Sequence, residues 1–114
     1  MTLQTKLEII GNALVEGLDS NVYHYWRPQM QAPFCVWAED GESTAFDADN
    51  RKAEQAISGF VDYYTKTEYD PALDTVQTIL KGVADEIPFV WRLDSVQRED
   101  ETNLIHYQWL WSVA

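Results

Sequence analysis

Leu3, Leu7, Ile10, Leu14 and Leu18 recur at the three- and four-residue spacings that place them on one stripe of a helix, from about Thr2 to Leu18. Thr2 offers an N-cap, Gly17 loosens the far end, and Asp19-Ser20-Asn21 carries turn chemistry. Gly11 costs such a helix about 1 kcal/mol relative to alanine, so either something approaches closely there or the helix is marginal. A second stripe, Leu73, Val76, Ile79, Leu80 and Val83, follows Asp70-Pro71. Asp70 suits the N-cap, Pro71 the first helical position, and Asp74 the positive end of the dipole. Pro88 bounds the next element by disfavouring helical backbone at Ile87.

Between and after these helices the period changes to two. Val22 to Arg27 and Phe34 to Glu39 are dense in β-branched and aromatic residues, and Pro28-Gln29-Met30-Gln31-Ala32-Pro33 separates them. They are expected to form two antiparallel strands joined by a proline-bounded loop. Asp40 to Asn50, poor in apolar residues and containing Gly41, Ser43 and Thr44, reads as an exposed loop. Ala53 to Thr65 begins helix-like, but Ile57, Gly59, Val61 and Tyr63 alternate with Ser58, Phe60, Asp62 and Tyr64, which predicts a strand.

From Phe89 to Val113 the chain reads as a long hairpin. Phe89, Trp91, Leu93 and Ser95 share one face, and Tyr107, Trp109, Trp111 and Val113 share one face of the returning strand. A three-residue turn, Asp100-Glu101-Thr102, sets Trp91 opposite Trp111 and Leu93 opposite Trp109; a one-residue slip would set Arg92 opposite Trp109 instead. The expected fold is α+β in the order α-β-β-β-α-β-β, a mostly antiparallel sheet with two helices packed on one face. Residues 1–114 are expected to make one domain.

Two helices cover one face of a five-stranded sheet, yet aromatic residues occupy both faces of several strands. Tyr23, Tyr25, Trp26, Trp37, Tyr63 and Tyr64 are therefore candidates for contacts with neighbouring subunits, where tyrosine and tryptophan are enriched. Half-exposed aromatic rings are the plainer explanation.

Charge narrows the partners. Eight Lys and Arg stand against nineteen Asp and Glu, a formal net charge of −11. Tight binding to duplex DNA needs a basic surface for counterion release, and this chain is too acidic to supply one. Cys35 is the single cysteine, so no intrachain disulfide forms, and its apolar neighbours Phe34 and Val36 predict a buried, inert thiol. The sequence shows neither a signal-peptide pattern nor an apolar run of the roughly 20 residues that a bilayer span needs.

Little catalytic chemistry can be drawn from this residue set. His24 and His106, the two histidines, fall inside predicted strands and read as structural. Glu39, Asp40, Glu42, Asp47 and Asp49 could hold a hard cation, but their spacing misses the EF-hand pattern, and a solvated acidic loop is the better reading. Glu99-Asp100-Glu101 reads as a solubilising turn. No phosphate loop, nucleophile arrangement or placed carboxylate pair is visible, so no catalytic, metal or cofactor residue and no enzyme activity is expected.

A helix, then Val22-Tyr23-His24-Tyr25-Trp26-Arg27-Pro28, then Phe34-Cys35-Val36-Trp37-Ala38-Glu39, then a strand ending Val61-Asp62-Tyr63-Tyr64-Thr65-Lys66, a helix and a terminal hairpin together resemble the small tail-completion proteins of long-tailed bacteriophages. These are the tail terminators and related minor tail proteins. The resemblance implies an α+β subunit made in the bacterial cytoplasm that forms a homo-oligomeric, hexameric ring in the virion tail. Such a ring caps the tube of major tail protein, stops its polymerisation and offers the head and neck proteins a docking face. Glu39, Asp40, Glu42, Asp47 and Asp49 would then be candidates for an acidic lumen past which DNA slides without binding. A head-completion or neck protein, or a small intracellular ligand-binding domain with its pocket under the helices, is the alternative.

Overall fold

Both apolar stripes form the helices they predict. In the computed structural model, which describes residues 1–18, 21–28, 31–44 and 55–114, helix α1 spans Leu3–Gly17 and helix α2 spans Ala72–Glu86. Thr2 caps α1, its hydroxyl accepting the Thr5 N–H at 3.1 Å. Asp70 Oδ1 accepts the Ala72 N–H at 2.9 Å and so caps α2 across Pro71. The strands are β1 (Asn21–His24), β2 (Phe34–Glu42), β3 (Ile57–Thr65), β4 (Phe89–Glu99) and β5 (Leu104–Val113). They form one sheet in the order β1-β2-β3-β5-β4, antiparallel throughout except for β1 against β2. This is the expected α+β architecture with the expected element order.

Both helices lie on one face. Ile10, Leu14 and Leu18 around α1, and Val76, Leu80 and Val83 from α2, pack with Cys35, Trp37, Val61, Tyr63, Trp109, Trp111 and Val113 from the sheet. Burying one such large apolar side chain contributes roughly 1.5–3 kcal/mol, so this layer supplies most of the cohesion. Gly11 resolves the choice left open by its helix cost: a Cβ there would lie 2.6 Å from Trp37 Cζ2, so the missing side chain lets α1 settle onto the indole.

Three expectations of local structure need correction. First, β1 runs parallel to β2, with Asn21 beside Phe34 and His24 beside Trp37. The strand also stops at His24 instead of Arg27. Only four residues must be retraced, about 13 Å at 3.3 Å per residue, and the nine residues from 25 to 33 span that easily. Second, Asp40, Gly41 and Glu42 belong to β2, which continues past an irregularity between Glu39 and Gly41. Asp47 and Asp49 lie outside the described residues, as do Ala53 and Glu54 at the start of the predicted third strand.

Third, the hairpin keeps the expected register only over its first half. Trp91 pairs with Trp111 and Leu93 with Trp109, but a bulge between Leu93 and Ser95 then sets Ser95 opposite Gln108 and Val96 opposite Tyr107. Directly paired residues share a face. Val96 and Arg98 thus replace Ser95 and Gln97 on the helix side. The extra residue also lengthens the turn, which runs from Asp100 to Asn103 between Glu99 and Leu104, with Asn103 at φ 57°. Asparagine tolerates that left-handed backbone better than most residues.

Candidate functional site

The segment that leaves β1 turns sharply. Tyr25 sits at φ 77°, a conformation that costs a bulky side chain on the order of 1 kcal/mol or more. Its surroundings hold it there. The Tyr25 N–H donates to the Trp37 carbonyl at 2.9 Å, and its ring stacks on His24, which stacks in turn on Trp37 at 3.9 Å between ring centres. Glu39 binds the pair from one side, accepting the Tyr25 hydroxyl and lying 2.8 Å from His24 Nε2. The consequence is that Trp26, next in the chain, stands 78% exposed.

Beyond Trp26 the chain crosses the sheet face opposite the helices. The Arg27 guanidinium lies 4.6 Å over the Tyr64 ring and 5.7 Å over Phe34, and reaches Glu99 at 3.5 Å. Tyr64 is itself stacked between Phe34 and His106. Below them Asp62 accepts Gln108 Nε2 at 2.9 Å, and His106 Nε2 approaches the same carboxylate oxygen at 3.0 Å, off the hydrogen-bonding direction. Burial, and next the Asp62 carboxylate, push the Tyr64 phenol above its ordinary pKa, against the opposing pull of Arg27.

Cys35 lies beneath the helices with no exposure. Burial first, and then the Asp62 charge, push its thiol far above the ordinary range, so the reactive thiolate is suppressed. In native buffer at pH 8 a maleimide should leave Cys35 unlabelled over hours, and in denaturant it should label fully within minutes. Mass spectrometry reads both states, and rapid native labelling would contradict this burial.

The six aromatic candidates are divided by the fold. Trp37, Tyr63 and Tyr64 are 5%, 2% and 7% exposed, so their side chains are already committed within the subunit. Trp37 packs under α1, Tyr63 donates to Asp70, and Tyr64 lies under Arg27. Tyr23 is half-buried against the second cluster of Phe34, Val36, Tyr64 and Leu104. Tyr25 and Trp26 retain open surface. Of the acidic candidates, Glu39 is occupied by His24 and Tyr25, Asp40 accepts the Ser58 hydroxyl at 3.1 Å, and Glu42 is exposed at the end of β2. Among the described residues no three His, Cys, Asp or Glu side chains converge as a metal site requires.

The sequence pattern gave no hint of Arg27 as a lid, because nothing local says which face its segment will cross. The outer side of β4 went equally unmarked. Leu93 and Val96 are 40% and 54% exposed on its helix face and Val90 is 49% exposed on the other, and the alternation that should have found Val96 is broken by the bulge.

No protein-family model and no curated protein matches the chain. Among solved structures, one similar chain comes from the virion of a native gene transfer agent particle. It matches at 11% identity and a TM-score of 0.40, over 96% of this chain and 88% of that one. Agreement this loose bears on neither activity nor assembly. No helix among the described residues is long and apolar enough to cross a membrane.

Proposed function

We propose that this chain is a structural subunit of a long-tailed phage or prophage, a tail terminator that acts by assembly and not by catalysis. The observation that carries the reading is the surface left over once the core is complete. Trp26 stands 78% exposed behind a strained Tyr25 that is pinned by Trp37, His24 and Glu39, and an exposed, pre-positioned tryptophan is the kind of anchor that protein interfaces use. The α+β fold with the expected element order agrees with the sequence resemblance to tail-completion proteins. The net charge of −11 suits a channel wall that DNA must pass without sticking.

In this reading six copies close into a ring on the last layer of tail tube, with Tyr25 and Trp26 in contacts with neighbouring proteins and the head-neck proteins docking above. Deleting the gene from the genome that carries it should leave filled heads beside unjoined tails of uncontrolled length in electron micrographs. Tails of normal length that fail to join heads would move the role to the neck. Joined particles at normal titre would overturn a part in virion assembly.

A further inference from the structure

The sheet ends in two unlike strands, four-residue β1 and eleven-residue β4. No strand pairs the outer edge of β4 among the described residues, so that edge presents backbone donors and acceptors to whatever comes alongside. On the helix side of the same strand, Leu93 and Val96 are 40% and 54% exposed, and Arg98 follows on the same face. The bulge makes this strip: unbroken alternation would have put Ser95 and Gln97 in those places. Bulges commonly protect an edge from pairing, but this one brings apolar and cationic side chains to it.

At the opposite end of the sheet, on the same face, an open groove of about 450 Å³ runs between α1 and β1. Leu7, Val15, Val22 and Trp37 give it apolar walls, and Glu8 and Glu39 add carboxylates. Val15 is 60% exposed although it belongs to a helix that otherwise packs its apolar side inward.

We propose that β4 of one copy docks against the β1–α1 end of the next, seating Leu93 and Val96 in this groove and Arg98 toward Glu8 and Glu39. The proposal rests on the assembly reading above and names its contact. Three observations select a second copy as the occupant. The two surfaces lie on one face of one sheet at its two ends, so a single rotation repeated from copy to copy brings them together. The strand directions also fit, because β4 runs antiparallel to β1 through the intervening pairs, and the junction would be antiparallel like most of the sheet. Charge is complementary as well. A chain of net charge −11 repels its own copies, and β4 brings Arg98, one of the chain's four arginines, to the face that meets the acidic groove, whereas Arg92 lies on the opposite face. A contact between unlike surfaces that closes by rotation gives a ring.

Cysteines placed at Val15 and Val96 test this, since both positions are exposed and the native Cys35 is buried. With a flexible bis-maleimide, the Val15→Cys/Val96→Cys double variant should give a ladder of covalent oligomers. A mixture of the two single variants should stop at heterodimers, and either single variant alone should stay uncross-linked. Dimers from Val96→Cys alone would show β4 meeting β4 and overturn the proposal. Light scattering on the double variant separates the two levels of the argument. A discrete oligomer without a ladder sinks this interface and leaves the ring reading standing, whereas monomer mass at every concentration without a ladder sinks the interface and counts against the ring.

Discussion

Gly59→Ala should destabilise the protein by about 3 kcal/mol, at the upper end of what overpacking costs, although it adds a single methyl group to a strand. A Cβ at Gly59 would lie 2.2 Å from the Ala38 carbonyl oxygen and 2.3 Å from Trp111 Cζ2. Neither neighbour can yield cheaply. The Ala38 carbonyl belongs to the β2 backbone paired along β3, and Trp111, 2% exposed, is Gly59's direct partner on β5, held between that strand and the helix layer. In a chain of this size the melting temperature should fall by on the order of 10 °C. Gly82→Ala is the control, since nothing lies within 4 Å of a Cβ at that position in α2. There the same methyl group should stabilise by about 0.5–1 kcal/mol through helix propensity. Urea midpoints of the two variants should move in opposite directions. Equal shifts would mean that the contact between Gly59 and Trp111 does not govern this part of the sheet.

That contact also marks how far the sequence could be read. The helices were legible because each has one apolar stripe of the right period and a capping residue that does what its type predicts, Thr2 for α1 and Asp70 for α2. The first half of the hairpin was legible because only registers that differ by two residues keep Trp91, Leu93, Trp109 and Trp111 on the helix side together, and among these a three-residue turn selects the pairing observed there. The bulge at Asp94 was not, since no glycine or other local signal marks it and the polar residues around it pair acceptably either way. Strand direction was not legible for β1, because nine connecting residues can close a hairpin or return to the starting end of a strand that is only four residues long. The candidate interface was legible in part. Composition showed more aromatic residues than one core layer takes, but Trp37, Tyr63, Tyr25 and Trp26 all occur in similar apolar-aromatic runs. What separates the buried from the open ones is the helix layer above Trp37 and Tyr63, and the left-handed turn at Tyr25, which appears only in three dimensions.

Asp70→Ala is the second large effect, at about 3 kcal/mol when a lost N-cap and a buried hydroxyl deprived of its acceptor are taken together. Asp70 serves three donors. Its Oδ1 accepts the Ala72 N–H, and its Oδ2 accepts the Thr65 hydroxyl at 2.7 Å and the Tyr63 hydroxyl at 3.1 Å. One carboxylate thus fixes the start of α2 to the end of β3, with Thr65 1% exposed. Burial alone would raise the pKa of this carboxyl, but the hydrogen bonds from Thr65, the Ala72 backbone and Tyr63 outweigh it and hold the group below the ordinary aspartate value. A carboxyl whose folded pKa is depressed stabilises the fold fully above its unfolded pKa, near 3.9, and loses that contribution as the pH falls through the lowered folded value. Asp70→Asn keeps a good capping residue and removes the charge. Its deficit relative to the wild type should therefore be greatest at pH 7 and should shrink steadily below pH about 4. Urea titrations of the two proteins from pH 7 to pH 3 measure this directly. A deficit that does not change with pH would show that Asp70 holds the junction between β3 and α2 by shape and not by charge.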